Sequence, residues 1–212
     1  MVYSCEAITL RTYPFAEANK IALFLTQEYG LLRGVAYGAK KSKSRFGASL
    51  EPLTHVKLAF KRREQQELAV IENCEIIRAL PAYELSWEQN LHFGYFAELL
   101  VEFGREQIES EKLFRLSLAV LEAVKEVPVT ILARYFEFWI LRLEGVLPAL
   151  DTVLPKELAT RAVDMLKLPP LRLGDVDLKE DEIQRLESAA ERLIEYHLEK
   201  PLKARRILKE LL

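Results

Sequence analysis

Four basic side chains crowd into residues 38–47, which read Gly-Ala-Lys-Lys-Ser-Lys-Ser-Arg-Phe-Gly. Like charges this close together repel one another unless water or an anion compensates them, so the segment is suited to contact a polyphosphate. Its glycine and serine content is typical of a loop, and one aromatic residue, Phe46, lies near its end. The alternative interpretation is an ordinary solvated connection between two strands.

Positive charge is concentrated around this segment. Residues 33–63 contain nine basic residues and one acidic residue, Glu51, and so carry a net charge of +8. The whole chain of 212 residues has a formal net charge of −2, which leaves −10 on the remainder. Such segregation predicts a polyanionic partner. The residues that we predict to contact nucleic acid are Arg33, Tyr37, Lys40, Lys41, Lys43, Arg45, Phe46, Lys57, Lys61, Arg62 and Arg63.

The predicted chemistry of this zone is non-covalent. Lysine and arginine side chains neutralise phosphates and release counterions, which gives affinity without sequence preference. Tyr37 and Phe46, if exposed, could each stack a base for roughly 1 to 3 kcal/mol. Tyr37 fits the core of a barrel equally well, and both interpretations stay open, whereas the polar neighbours of Phe46 give no sign of a buried strand.

The sequence lacks the short motifs of common enzymes, namely GxxxxGK[ST], GxGxxG after a strand, HExxH and GxSxG. His55, His92 and His197 belong to different predicted elements, which disfavours a histidine metal cluster. Cys5 and Cys74 form no CxxC pair, so neither a disulfide framework nor a cysteine zinc site is predicted, and both are expected to pack as small apolar residues. We therefore predict no catalytic residue, no metal and no cofactor.

One acidic cluster, Asp175, Asp177 and Glu180–Glu182, offers an alternative. Carboxylates can bind a divalent ion, and a metal-dependent nuclease would use Asp175 and Asp177. The cluster lacks the glycine and the spacing of a calcium loop. Acidic residues also favour the start of a helix, where they interact well with the helix dipole, and this is the preferred interpretation.

Residues 1–79 have the alternation of β-strands and predict a barrel. Gly34 and Gly38 in the third strand indicate sharp bending or a close backbone approach, as small coiled barrels require. A five-stranded OB-fold is preferred over an SH3-like barrel, because OB-folds bind nucleic acid on strands 2 and 3 and adjoining loops, where Tyr37 and the lysines fall. The five strands are predicted near residues 6–12, 19–26, 31–37, 54–62 and 67–77.

From residue 80 the period changes to that of helices, and residues 80–212 predict an all-α bundle for partner binding and stability, which makes the fold class α+β. No apolar run approaches the roughly 18 residues of a membrane span, and no signal peptide is recognised, so a cytoplasmic protein without membrane association is expected. The helices are predicted near residues 86–103, 111–125, 129–144, 155–167, 181–199 and 202–211.

Several segments, in this order and spacing, resemble the bacterial RecO family of recombination mediators along nearly the whole chain. They are Glu17, Thr-Gln-Glu-Tyr-Gly-Leu at 26–31, the basic segment at 38–46, Leu-Glu-Pro at 50–52, Tyr-Phe-Ala-Glu-Leu at 95–99, Phe-Glu-Phe-Trp-Ile-Leu-Arg-Leu-Glu-Gly at 136–145, Pro148, and Leu-Lys-Ala-Arg-Arg-Ile-Leu at 202–208. The resemblance implies a non-enzymatic protein of DNA repair and recombination that binds single- and double-stranded DNA and anneals complementary strands. The implied protein partners are RecR, the C-terminal tail of single-stranded DNA-binding protein and, indirectly, RecA.

The chain departs from the family in one place. Many relatives carry a four-cysteine zinc knuckle after the segment that matches residues 145–151, whereas this chain has Thr-Val-Leu-Pro at 152–155. The resemblance therefore implies a variant without the knuckle and without its metal. Any partner contact that the knuckle makes in relatives is not implied here.

An acidic protein tail would need an apolar notch beside a cation. The candidates on predicted helices are Arg134, Arg142, Arg205 and Arg206, although each also fits an ordinary surface or helix-end charge. The alternative function is a protein-binding adaptor whose basic surface captures an acidic partner tail.

Overall fold

Five strands form a closed barrel at the start of the chain, in the order β1-β2-β3-β5-β4. The computed structural model describes residues 1–62 and 67–212. Strands β3 and β5 are parallel, and the other neighbouring pairs are antiparallel. The predicted five-stranded barrel of the OB type is confirmed. The strands are β1 (Val2–Phe15), β2 (Asn19–Thr26), β3 (Gly30–Ala36), β4 (His55–Lys61) and β5 (Ala69–Arg78).

Along the strands of the barrel, side chains alternate between the buried interior and the solvent. In β4, Val56, Leu58 and Phe60 are buried while Lys57 and Lys61 are exposed, as the sequence pattern predicted. The glycine in β3 is required by packing: a Cβ atom on Gly34 would lie 2.3 Å from the Cδ1 atom of Ile71. The barrel is therefore too narrow at this point for any side chain.

Both cysteines are free thiols buried in the barrel. Burial raises the pKa of the Cys5 thiol to about 12 and that of the Cys74 thiol to about 11. Both thiols are therefore neutral at physiological pH. They pack as small apolar groups, and this prediction is confirmed.

Strand β1 is longer than predicted and continues through Pro14 to Phe15. Its residues up to Ile8 pair with β4, whereas residues 7–15 pair with β2. In the described part of the chain, β1 has no β4 partner beyond Ile8 and bonds to the segment before β4 only through Thr9, so the residues after Thr9 have no strand on this edge. Proline fits there because it has no N–H to donate to a missing neighbour. The β1–β2 hairpin therefore extends beyond the part of β1 that β4 covers.

Helices follow the barrel, as predicted, and their bounds differ by one or two residues from the expected ones. The helix Val129–Leu143 has the most buried surroundings, with side chains such as Phe136, Phe138 and Ile140 at most 1% exposed. No described helix is both long enough and apolar enough to cross a membrane. The helices are α1 (Trp87–Phe103), α2 (Glu111–Ala123), α3 (Val129–Leu143), α4 (Lys156–Met165), α5 (Glu180–Leu198) and α6 (Lys203–Leu211).

The chain divides into two compact units, which we call the barrel unit (Met1–Ser86 with Phe93–Phe114) and the helical unit (Trp87–His92 with Arg115–Leu212). The barrel unit includes the end of α1 because the segment after it bonds to the β2–β3 turn. Leu31 N donates to Arg105 O at 2.8 Å, and Gln107 N donates to Tyr29 O at 3.1 Å. The domain boundary between residues 79 and 80 stays a prediction, because compactness alone does not define a unit that folds by itself.

Candidate nucleic-acid interface

The segment after β3, residues 37–46, is held against the β1–β2 hairpin; we call it the basic loop. Gly38 N donates to Asn19 Oδ1 at 2.9 Å, and Lys40 N donates to Ala18 O at 2.9 Å. Lys40 Nζ also donates to Ala16 O at 3.3 Å. Gly38 has a φ of +73°, which a residue with a side chain rarely adopts. The loop therefore has a defined place at one end of the barrel.

The cations of the basic loop point into water. Lys40, Lys41, Lys43 and Arg45 are all exposed. Lys41 and Lys43 form no ion pair with any residue in the ranges 1–62 and 67–212. The Arg45 guanidinium lies over the ring of Phe46, 5.0 Å from its centroid, and this contact leaves its charge uncompensated. These four predicted contacts are thus available to phosphates.

Phe46 itself is buried, at 3% exposed, and the expectation that it stacks a base is wrong. It belongs to the barrel core together with Leu50. A 3-10 turn over Gly47–Leu50 follows, in which Ser49 N donates to Phe46 O at 2.9 Å. This turn directs Phe46 and Leu50 inward although their neighbours in sequence are polar. Phe46 therefore anchors the basic loop to the barrel.

Tyr37, unlike Phe46, lies at the surface. Its side chain is 54% exposed, so the alternative that it belongs to the barrel core is wrong. It lies between Ala36, which pairs with Lys20 of β2, and Gly38, which bonds to Asn19. The ring is therefore presented at the same end of the barrel as the lysines.

Three further residues at this end were missed by the sequence reasoning. Tyr13 and Phe15 on β1 are 48% and 40% exposed, and Lys20 on β2 lies opposite both Pro14 and Ala36. The alternation of Tyr13, Pro14 and Phe15 was a usable signal, because the two aromatics must share one face of an extended strand. The prediction of a first strand near residues 6–12 leaves Tyr13 and Phe15 outside the sheet.

Two other predicted cations are paired. Arg33 Nε lies 3.1 Å from Glu106 Oε1, and Lys61 Nζ lies 3.0 Å from Glu72 Oε1. These exposed pairs are weak and exchange readily with water or a phosphate. Arg33 and Lys61 therefore remain usable contacts, but with less free charge than the basic loop.

The strand register places Lys57 and Lys61 in different surroundings. Lys61 lies opposite Val2 at the start of β1, whereas the basic loop bonds to the hairpin at the other end of that strand. Lys61 therefore lies apart from the basic loop, and half-buried Arg62 follows it. Arg63 lies outside the described residues.

Lys57 has carboxylates on both sides. It lies opposite Glu6 of β1 and opposite Glu75 of β5. Cross-strand partners face the same side of a sheet, so these two charges offset that of the lysine. Among the predicted phosphate contacts that the structure describes, Lys57 is therefore the weakest.

In the helical unit, two of the four predicted partner-binding arginines are buried. Arg134 is 2% exposed and Arg205 is 3% exposed; both line a pocket with Leu208, but their guanidinium groups are held by carboxylates and offer no free charge to a partner. Arg142 and Arg206 are exposed. The Arg142 guanidinium lies over the Trp139 ring at 5.0 Å from its centroid. Only Arg142 and Arg206 remain accessible candidates.

The buried arginines share two carboxylates. Arg134 Nε lies 2.7 Å from Glu137 Oε2, and Arg205 Nη1 lies 3.1 Å from Glu137 Oε1. Glu187 contacts the same two arginines, with its Oε2 3.0 Å from Arg134 Nη1 and its Oε1 2.7 Å from Arg205 Nη2. Because α3, α5 and α6 each supply members, the cluster connects three helices of this unit.

His92 adjoins this cluster. Burial is the largest cause that lowers the pKa of His92, and the positive charges of Arg134 and Arg205 act in the same direction. A hydrogen bond of 2.9 Å between its Nδ1 and Glu88 O opposes the shift. The imidazole is therefore held neutral.

The acidic cluster has the contacts of a helix start. Glu182 Oε2 accepts a hydrogen bond of 2.8 Å from Lys179 N, and this bond is the main cause that lowers the pKa of the Glu182 carboxyl. Asp175 Oδ2 lies 2.5 Å from Arg172 Nε. Among the described residues, no group of three or more histidine, cysteine, aspartate and glutamate side chains is placed to hold a metal ion. The helix-start interpretation is supported.

Comparison with known proteins matches both parts of the chain. The family model for the recombination protein O N terminal covers residues 1–80, and that for the recombination protein O C terminal covers residues 85–152. Among similar proteins, the DNA repair protein RecO of Koribacter versatilis is 39% identical over 150 residues, which are 71% of this chain and 62% of that protein. The protein of the same name from Syntrophus aciditrophicus is 33% identical over 150 residues, 70% of this chain and 58% of that protein.

A third relative, the DNA repair protein RecO of Anaeromyxobacter sp. strain K, is 32% identical over 145 residues, 68% of this chain and 57% of its own length. The chain thus spans about three-fifths of the length of the relatives that it matches. The matches include the whole barrel, with the basic loop and the strands that hold it, and continue into the helices. The chain therefore belongs to the RecO family of DNA repair and recombination proteins.

Proposed function

We propose that this chain is a non-enzymatic DNA-binding recombination mediator that holds DNA at the end of its barrel. The observation that carries the proposal is the set of exposed basic-loop cations, of which Lys41 and Lys43 have no ion pair within the described residues, next to exposed Tyr37. These groups contact features that all DNA shares, the phosphates and the faces of unpaired bases. Single strands and duplexes are both bound, without sequence preference.

The same charges account for the annealing of complementary strands. Two approaching strands repel each other through their phosphates, and fixed cations reduce this repulsion without contributing a reacting group. Base pairing then supplies the sequence specificity. The protein therefore accelerates the encounter of two strands and leaves their recognition to the DNA.

The proposed partners follow from the family. They are RecR, the tail of single-stranded DNA-binding protein and, through these, RecA. For an acidic tail, the exposed guanidinium groups of Arg142 and Arg206 are the remaining candidates. The mediator loads RecA by bringing these proteins to the DNA that the barrel holds.

The test is a salt titration of single-stranded DNA binding. Loss of Lys40, Lys41 and Lys43 together, as a triple alanine variant, weakens binding and flattens the slope of log affinity against log salt by about 2 units, at roughly 0.7 per phosphate contact. The matched control replaces three exposed lysines outside the barrel strands and the basic loop, Lys112, Lys156 and Lys167, and keeps the wild-type slope.

An unchanged slope in the basic-loop variant would remove the loop from the proposed DNA site. Strand annealing, measured with and without the partner tail peptide, then separates two functions. A protein-binding adaptor would bind the acidic peptide through the basic loop and would not accelerate annealing. A mediator accelerates annealing, and loses this activity in the triple variant.

A further inference from the structure

The geometry points to a base-stacking platform at the β1–β2 hairpin: we propose that Tyr13 and Phe15, together with Tyr37, make the barrel prefer unpaired single-stranded DNA over duplex DNA. The inference rests on the proposed function and adds to it. The basic loop gives affinity for any DNA, whereas the platform discriminates between the two forms. Tyr13 and Phe15 are therefore specificity-determining residues.

The three aromatic side chains lie on or next to strands of the barrel, where large apolar side chains are usually buried, and yet all three are exposed. Tyr13 is 48%, Phe15 40% and Tyr37 54% exposed, whereas Phe24 and Phe60 of the same barrel are at most 1% exposed. Large aromatic side chains lose favourable contacts when they face water. Their concentration at one end of the barrel indicates a surface that a ligand covers.

The spacing of the first two rings suits a nucleic-acid strand. Tyr13 and Phe15 alternate along β1 and therefore face the same side, with about 6.6 to 6.8 Å between them. This is about twice the rise of roughly 3.4 Å per nucleotide along one strand of DNA. The two rings can therefore hold bases two nucleotide steps apart, or enclose one base between them.

Tyr37 lies next to this pair because of the hydrogen-bond register. Phe15 lies opposite Asn19, and Asn19 Oδ1 accepts the bond from Gly38 N. Tyr37 immediately precedes Gly38. The third ring is thus held at the end of β2 that meets Phe15, and it extends the platform from β1 toward the basic loop.

A lysine lies at the hairpin turn next to the rings, where Lys40 Nζ donates to Ala16 O. Lys20 lies opposite Pro14 and therefore on the other face of the hairpin from Tyr13 and Phe15, so it adds charge to this end of the barrel without facing the rings. One acidic residue, Glu17, is exposed in that turn. A single strand can therefore place phosphates on lysines while its bases cover the aromatic rings.

The preference for single strands follows from what a duplex exposes. Paired bases are stacked on one another and present only their edges in the grooves, so their faces are closed to protein rings. The phosphates are available in both forms. The aromatic platform therefore contributes to single-strand binding alone, and the lysines contribute to both.

The experiment uses the full chain and two DNA ligands, a 20-nucleotide oligo-dT and a 20-base-pair duplex, at one fixed salt concentration. The test variant is Tyr13→Leu with Phe15→Leu, which keeps apolar bulk without an aromatic face. The matched control is Tyr83→Leu, which changes an aromatic of the barrel unit that is 87% exposed and away from the hairpin in sequence. Fluorescence anisotropy gives both dissociation constants, and thermal unfolding checks the fold of each variant.

We expect the double variant to bind oligo-dT about 10- to 100-fold more weakly and the duplex within about twofold of wild type, with an unchanged salt slope. The control variant binds both ligands as wild type does. Equal weakening for the two ligands, or unchanged binding of oligo-dT, would overturn the platform. These outcomes leave the proposed function intact, because that function fails if wild-type protein binds neither ligand at low salt or does not accelerate annealing.

A second measurement has its deciding result in wild-type protein, and this result does not depend on whether a variant folds. An oligo-dT that carries the fluorescent base 2-aminopurine loses fluorescence when that base stacks on an aromatic ring. We expect wild-type protein to quench it, and expect Tyr13→Leu with Phe15→Leu to bind it at high protein concentration with less quenching. Binding by wild-type protein without quenching would contradict the stacking contact directly.

Discussion

The arginines buried in the helical unit and the lysines of the basic loop carry the same charge in opposite surroundings. Arg134 and Arg205 share Glu137 and Glu187 at distances of 2.7 to 3.1 Å and are almost wholly buried. Lys41 and Lys43 are exposed, and no described residue pairs with them. The first set stabilises the fold, and the second is available to a ligand. A basic residue thus has a role in binding only where the fold leaves its charge uncompensated.

The same contrast recurs inside the barrel on a smaller scale. Lys57 lies between Glu6 and Glu75 on neighbouring strands, whereas Lys41 lies in a loop without an adjacent carboxylate partner in the described chain. Both are lysines in one continuous basic stretch of sequence. The pairing of β4 with β1 and β5 is what separates them.

The largest effect is expected from the buried cluster. Glu137→Gln removes the carboxylate charge that both buried arginines contact, and leaves those charges partly uncompensated in the interior. We expect the free energy of unfolding to fall by about 3 to 5 kcal/mol. Urea denaturation followed by tryptophan fluorescence measures it, since Trp139 lies in the same helix.

The control for the cluster is Glu210→Gln, whose partner Arg206 is exposed and 3.8 Å away. It leaves stability nearly unchanged. A loss below about 1 kcal/mol for Glu137→Gln would show that water or other groups replace the carboxylate, and the proposed contrast between the two sets of cations would no longer hold.

Charge reversal in the basic loop has the next largest effect, and it acts on binding. Lys41→Glu with Lys43→Glu replaces two cations by anions at exposed positions. We expect single-stranded DNA affinity to fall about 10- to 100-fold, or about 1.4 to 2.8 kcal/mol, while stability changes by less than about 0.5 kcal/mol. Anisotropy at low salt and a urea titration provide the two values.

The matched reversal is Lys57→Glu, placed between two carboxylates. Its effect on affinity per charge is expected to be smaller than that of the loop variant. Equal effects per charge would mean that the whole barrel face attracts DNA by its net charge alone, without a defined contact in the loop.

A smaller effect is expected from pH in the helical unit. The pKa of His92 in the folded state is lowered, chiefly by burial, so below its ordinary value of about 6.5 the unfolded state binds the extra proton first. Stability is therefore full above about pH 6.5 and falls as the pH drops below it, by at most about 1.4 kcal/mol per pH unit for one group.

His92→Gln removes this part of the pH dependence, whereas His197→Gln, at an exposed position, keeps it. Unfolding free energies at pH 7.5, 6.5 and 5.5 distinguish the two variants. If the unfolding free energies of wild type and His92→Gln changed equally with pH, a protonated His92 would cost no stability beside the two arginines. That result would contradict the charge compensation described for this cluster.

The smallest effect is expected at Arg206. Its pair with Glu210 spans 3.8 Å between side chains that are 75% and 66% exposed. Arg206→Ala should change the free energy of unfolding by less than about 0.5 kcal/mol. If a partner tail binds here, the same change lowers the affinity for the tail peptide, which a peptide titration detects. A large loss of stability would instead mean that Arg206 stabilises the fold as the buried arginines do.

The local sequence pattern predicted the structure correctly where residues close together in the chain decide it. The alternation in β4, the period of the helices and the close approach at Gly34 are properties of short segments, and all were predicted correctly. Burial at Phe46 and Arg134 was not predictable, because it depends on the approach of residues distant in sequence. Pro14 is a third case. Proline usually ends a strand, but β1 continues through Pro14 because the strand edge beside it is open.

The sequence by itself determined the class of fold, the concentration of positive charge before residue 63 and the family to which the chain belongs. Composition and periodicity carry this information because each depends on residues close together in the chain. Only the tertiary structure decided which cations remain available. Strand register placed carboxylates beside Lys57, helix packing buried Arg134 and Arg205, and the hairpin brought Tyr13 and Phe15 to the basic loop. The physical reason is that charge compensation and exposure depend on neighbours in space.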